Sequence, residues 1–162
     1  MSLNEFCFQK SKTFIIAEIG VNHNGSVTLA KKQILAAHRA GADCVKFQSF
    51  KASEVASDDA PKALYQIINT DSSVSQVDML KNLELNSDQI LELSKYCEKL
   101  KIKFFSTPYN YEDAVILKKL NVKCLKLASM HCGEPVVIKE IASLGLPIIL
   151  STGMCNISEV RH

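Results

Sequence analysis

Residues 103–129 read KFFSTPYNYEDAVILKKLNVKCLKLAS, two strand-like runs separated by one helical pattern. The first run, KFFSTP (103–108), and the last, CLKLAS (124–129), are dense in apolar residues and end in small or hydroxyl-bearing ones. Between them Asn110 offers a helix N-cap, and Ala114, Leu117 and Leu120 recur at helical spacing. A strand, a helix of this length and a second strand make a parallel βαβ unit.

The alternation continues outward in both directions. TFIIAEI (13–19) and CVKFQ (44–48) read as strands upstream, and PIILST (147–152) as a strand downstream. A helix follows Ser26, buries Leu29, Ala30, Ile34 and Ala37, and stops near Gly41. A second begins after Asn86, with Gln89 three residues on as a variant capping box and Ile90, Leu93, Cys97 and Leu100 as its stripe. A later helix has Pro135 in its first turn, Ile138, Ile141 and Ala142 inside, and Gly145 as its stop; another starts after Asn156 or Ser158. Nearly continuous apolar strands predict a parallel sheet covered on both faces. An open doubly wound sheet competes with a barrel, but the phosphate-binding GxGxxG is absent after strand 1, where GVNHNG (20–25) has another spacing. The longest connection, 49–85, is predicted to hold one or two short helices (around 60–69 and 76–83), and insertions of this size on barrel loops line active sites.

Composition is that of an ordinary globular domain. Of 162 residues, 47% are apolar and 22% charged, with 19 basic residues against 17 acidic ones spread along the chain. The net charge is +2 and no basic run forms a nucleic-acid footprint, which leaves room for a small anionic ligand because local charge in a pocket can differ from the total. The six cysteines (Cys7, Cys44, Cys97, Cys124, Cys132, Cys155) make no CxxC pair and read as buried free thiols rather than disulfides or zinc ligands. No apolar run approaches the ~20 residues of a membrane span, and the N-terminus lacks an apolar signal core, so the expected location is cytoplasmic. Residues 1–12 read as an N-terminal extension and 13–162 as the strand–helix domain.

Polar residues fall at the strand ends. Glu18 ends strand 1, Lys46 and Gln48 strand 2, Ser106 and Thr107 strand 3, Lys126 and Ser129 strand 4, and Ser151 and Thr152 strand 5. In a parallel barrel these ends gather at one mouth, where barrel enzymes keep their active sites. A lysine inside an apolar strand is costly unless an anion or carboxylate meets it. Two such lysines with three hydroxyl-bearing strand ends and a glutamate suit a phosphorylated carboxylic acid. The plainer alternative is that Lys46 and Lys126 ion-pair with Glu18 and merely hold the barrel top together.

FIIAEIGVNHNGS, VKFQ, QVDMLKNLEL, FFSTPY, LKLAS and PIILSTGM occur in the order found in the sialic acid synthases, and the chain resembles that family from about residue 13 to 160. The resemblance implies a (β/α)8 TIM barrel, of which these are the first five βα units. It implies a synthase that condenses phosphoenolpyruvate with the aldehyde of an N-acetylated amino sugar and releases phosphate, making N-acetylneuraminate, legionaminate or pseudaminate. Lys46, Thr107, Lys126, Ser129 and Ser151 match the positions that hold phosphoenolpyruvate, and Glu18 and Gln48 those facing the sugar. The implied cofactor is a divalent metal, manganese or magnesium, whose ligands are expected beyond residue 162 with none in this chain. A homodimer is implied for the full-length protein.

The chain departs from the family in three ways. The family usually has an acidic residue two positions after the strand-4 serine, where this chain has Ser129-Met130-His131. His131 either replaces the carboxylate in proton handling or is a surface loop residue. The family's metal-binding histidines lie beyond residue 162; His23 is expected to orient its loop rather than bind metal, and His38 to face solvent or edge the core. The last three strands and the C-terminal antifreeze-like domain are absent, and a full barrel needs roughly 250 residues. The reading is therefore a truncated chain, inactive by itself. The competing readings are another phosphoenolpyruvate–aldose synthase of the 3-deoxy sugar acid type, taking a phosphorylated aldose, and a non-catalytic anion-binding half-barrel module.

Overall fold

The computed structural model describes residues 13–57, 60–62, 67–68 and 74–161. The extension 1–12, Cys7 and most of the helix expected at 60–69 lie outside the described residues. The elements are β1 (Ile16–Gly20), α1 (Val27–Arg39), β2 (Cys44–Ser49), α2 (Ala52–Val55), α3 (Gln76–Lys81), α4 (Ser87–Leu100) and β3 (Lys103–Pro108). Then follow α5 (Tyr111–Lys119), β4 (Leu125–Leu127), a 3-10 turn (Ser129–Gly133), α6 (Pro135–Ala142), β5 (Ile148–Leu150) and α7 (Ile157–Arg161).

All pairings are parallel and the strand order is β1-β2-β3-β4-β5. A doubly wound sheet reverses its order at a switch point, and this one does not. Because parallel crossovers are right-handed, consecutive order puts every crossover helix on the same face. The expectation of two helix-covered faces is thus met on one face only. There Ile19, Val45, Phe47, Phe104, Leu125 and Leu127 share a core with Ile34, Leu93, Leu117 and Ile141. The opposite face carries no crossover helix, and side-chain alternation assigns it Glu18, Lys46, Gln48, Thr107 and Lys126.

Local chemistry explains the helix starts. Ser26 Oγ accepts from Leu29 N (3.2 Å), and Asn110 Oδ1 from Asp113 N (2.8 Å). Asn86 and Gln89 form a reciprocal box, Asn86 Oδ1 accepting from Gln89 N (3.0 Å) and Gln89 Oε1 from Asn86 N (2.9 Å). Pro135 opens α6, where a missing N–H costs nothing. The apolar side of α6 is narrower than its sequence suggests: Ile141 is buried but Ala142 is exposed. Strand β5 is shorter than expected at both ends; at the first, Pro147 gives its carbonyl to Leu125 N (2.9 Å) but has no N–H for the ladder. Cys44, Cys97, Cys124 and Cys132 are buried thiols outside any disulfide and Cys155 is partly exposed; burial pushes the Cys97 thiol up to about 12.

The long 49–85 connection is pinned to the first loop of the fold. Glu84 Oε1 accepts from Ala52 N (2.5 Å), and Gly25 lies against the Asn82 backbone. Beside this connection Asp113, in the first turn of α5, is 5% exposed, and its carboxylate accepts from Tyr109 N (3.3 Å). Burial raises its pKa from 3.8 to about 6, against the opposing pull of the Tyr109 N–H and, more weakly, of Lys51. The folded form therefore binds the proton more tightly than the unfolded chain. The resulting penalty is absent below about pH 4, grows through the 4–6 window and is complete above it. Asp113→Asn keeps an acceptor for Tyr109 and is expected to stabilise the fold at pH 7.5 by on the order of 1–3 kcal/mol. Chemical denaturation at pH 7.5 and pH 4 checks this, since the gain should vanish at the lower pH.

Candidate functional site

The strand tips converge as their alternation demands. Glu18 and Lys46 are partners across β1 and β2, and Gln48 and Thr107 across β2 and β3. Lys46 Nζ meets Glu18 Oε2 at 2.5 Å and donates to Thr107 Oγ1 at 3.1 Å. The lysine side chain is 13% exposed, whereas that of Glu18 is 48% exposed, so the carboxylate is the solvent-facing end of the pair. Register shifts between Glu18 and Gly20, where Gly20 takes φ +57°. A Cβ at Gly20 would stand 2.9 Å from Glu18 Oε1 and 3.4 Å from Gln48 Nε2, so the glycine makes room for both side chains. Tyr109 Oη donates to Gln48 Oε1 (3.1 Å). The tyrosine was not singled out from sequence; its place directly after STP at the end of strand 3 is the signal that could have found it.

Lys126 has no carboxylate in hydrogen-bond contact among the described residues. Its Nζ donates to the Leu127 carbonyl (2.7 Å) and to Ser151 Oγ. Burial lowers its pKa, the nearby Lys46 cation lowers it further, and Glu18 partly offsets both. The two lysines therefore share one electrostatic neighbourhood, with Glu18 the carboxylate that serves both. Ser129 opens the 3-10 turn after β4, and a Cβ on Gly153 would lie 3.6 Å from its Oγ, which places the strand-4 and strand-5 loops against each other. The ion-pair alternative is half realised: Lys46 is neutralised by Glu18, while Lys126 is left a hydroxyl and a carbonyl.

His131 is not a surface loop residue. It is 2% exposed, Nδ1 contacts Glu134 Oε2 at 2.8 Å, and Nε2 is buried without a partner among the described residues. The surface-loop alternative fails because the 3-10 turn folds the ring inward. His23 is fully buried, and its Nδ1 accepts from Gly25 N (3.0 Å), the loop-orienting role expected of it. Burial holds its pKa below the ordinary value, against a weaker pull from the Gly20 backbone. His38 is exposed near the end of α1. Among the described residues no group of three or more His, Cys, Asp and Glu side chains could hold a metal ion, and Glu18 is spent on Lys46. These residues do not build a divalent-cation site. No helix among them is long and apolar enough to cross a membrane.

Comparison with known proteins matches this arrangement. The model of the NeuB family covers residues 33–162. The N,N'-diacetyllegionaminic acid synthase of Campylobacter jejuni is 46% identical over 93% of this chain and 45% of its own length. That of Legionella pneumophila is 45% identical over 91% and 42%. The solved N-acetylneuraminic acid (sialic acid) synthetase of Leptospira borgpetersenii, crystallised with citrate, superposes with a TM-score of 0.79 at 31% identity, over 91% of this chain and 47% of that one. The chain thus spans less than half the length of each of these relatives. Its sequential parallel sheet, its lysine-bearing strand tips and a family match over most of its residues lead to one conclusion: the chain belongs to the NeuB family of sialic-acid-type synthases.

Proposed function

We propose that the protein to which this chain belongs condenses phosphoenolpyruvate with the open-chain aldehyde of an N-acetylated amino sugar, and that this chain supplies the phosphoenolpyruvate half of the site. The observation that carries the reading is that Lys46 and Lys126 project from the same sheet face, Lys46 Nζ onto Glu18 Oε2 and Thr107 Oγ1 and Lys126 Nζ onto Ser151 Oγ, with the Lys46 charge acting on Lys126. Such a pair is a poor structural element and a good receptor for a dianionic phosphate beside a carboxylate. Lys126 and Ser151 bind one end of the ligand, Lys46 and Thr107 the other, and Ser129 closes the strand-4 side. Glu18 and Gln48, opened toward solvent over Gly20, face the sugar. Carbon 3 of the enol attacks the aldehyde carbon, water adds at carbon 2, and the carbon–oxygen bond to phosphate breaks; preorganised cations stabilise the departing charge. A divalent metal, when bound, polarises the aldehyde, and its ligands are assigned beyond residue 162. A cytoplasmic location and a homodimer of the whole protein go with this reading.

The test is phosphate release by the protein expressed over its whole reading frame, with phosphoenolpyruvate, manganese and a panel of acetamido aldoses. Turnover with at least one of them is expected, and none with the 162-residue chain by itself. Turnover only with a phosphorylated aldose would move the protein to the 3-deoxy sugar acid type. Phosphoenolpyruvate binding without turnover on any aldose would leave an anion-binding module.

A further inference from the structure

The turn after β4 contains a pair that the strand-tip site does not absorb. His131 Nδ1 lies 2.8 Å from Glu134 Oε2, and an ionised carboxylate can only accept, so the ring proton sits on Nδ1. In the neutral ring this leaves Nε2 as a bare lone pair, and that atom is buried with no partner among the described residues. A buried acceptor left unmade costs about 1–3 kcal/mol, so it calls for a donor. The backbone that carries the ring is fixed on both sides. Its backbone N donates to the Ala128 carbonyl (3.1 Å), and its carbonyl accepts from Glu134 N (2.9 Å). Glu134 stands at the N-cap of α6 but makes no side-chain cap bond there, so its carboxylate is committed to the imidazole. The same turn begins at Ser129, three residues beyond Lys126.

We propose that Glu134 is a positioning residue for the strand-tip chemistry: it holds the neutral His131 ring with its proton on Nδ1, so that Nε2 accepts a hydrogen bond from a water or ligand hydroxyl seated beside Ser129. The donor's identity rests on the synthase reading, since a water that adds to carbon 2 and an acceptor-sugar hydroxyl are the O–H groups that reaction brings in. The proton on Nδ1 follows from the geometry alone. The carboxylate does not take the proton; it orients the ring, as an acidic partner does in other buried carboxylate–imidazole pairs.

The experiment uses the whole-length protein labelled with 15N-histidine, the His131 resonances being assigned by their loss in His131→Gln. The expected spectrum shows a protonated Nδ1 and a bare Nε2. Adding phosphoenolpyruvate alone tests the water as donor, and adding the acetamido aldose alone tests the sugar hydroxyl; the Nε2 resonance should move in at least one arm. Glu134→Gln should mix the tautomers and lower kcat about 10–100-fold with KM for phosphoenolpyruvate nearly unchanged, and Glu134→Asp should recover much of the loss. An Nε2–H tautomer in the parent, an Nε2 signal unmoved by either ligand, or a Glu134→Gln variant that loses thermal stability at unchanged kcat would each overturn the proposal. Absence of phosphate release by the parent would instead sink the synthase reading, and the spectra would still decide this one.

Discussion

Lys126→Met in the whole-length protein is expected to lower kcat/KM for phosphoenolpyruvate by about 10²–10³ while leaving the folded state at least as stable as before. The two halves of this expectation share a cause. Lys126 is a half-buried ammonium whose hydrogen bonds go to Ser151 and the Leu127 carbonyl, and both burial and the Lys46 cation disfavour its charge. Without an anion in place it strains the fold; with one it becomes a preorganised donor to a phosphate that gains charge as it leaves. Methionine keeps much of the aliphatic stem and removes the charge, so the packing survives and the desolvation cost disappears. Thermal unfolding and steady-state kinetics on the same preparation read both effects. A variant with unimpaired kcat/KM would refute the anion-pocket assignment, and one that unfolds several degrees early would show that Lys126 is chiefly structural.

Gly25→Ala is expected to destabilise the domain by about 2–4 kcal/mol, the sum of forcing a side chain into left-handed backbone and of a steric clash. Gly25 takes φ +72°, and a Cβ there would lie 2.4 Å from the carbonyl oxygen of Asn82. The obstacle is backbone, so no rotamer change relieves it. The substitution pushes apart the loop after β1 and the segment that ends the long connection, and it loosens His23, whose ring accepts from Gly25 N. Urea denaturation measures the loss. A change below about 0.5 kcal/mol would mean that the two loops do not pack as described.

These effects sit at unequal depths below the sequence. The alternation of strands and helices was legible because both periodicities are written in the apolar pattern, and Ser26, Asn86, Asn110 and Pro135 mark their helix starts by side-chain chemistry that acts within three residues. Which strand tips share a face followed from alternation alone, which is why Lys46 and Lys126 could be paired in advance. The rest depended on contacts far apart in the chain. That Asp113 is buried, that Tyr109 reaches Gln48 and that Gly25 abuts Asn82 are set by how the 49–85 connection lies across the loops. A short turn carries no period, so the sequence leaves His131 between a surface loop and a proton-handling role; its inward ring and its clasp on Glu134 are properties of the 3-10 geometry.

The strictly consecutive strand order also makes the assembly of the sheet kinetically uneven. Ser106 meets Leu125, Leu125 meets Ile148 and Ile16 meets Cys44 across short chain separations, whereas Cys44 meets Lys103 only after the whole 49–85 connection and α4 have been spanned. Closing a loop twice as long costs roughly 0.6 kcal/mol more in chain entropy, so the β2–β3 seam carries the largest such charge in the sheet. Newly made chain can therefore pair its first two strands, and separately its last three, before the two pieces meet. The joining event brings Lys46 beside Thr107, and with it the hydrogen bond that crosses that seam comes into existence.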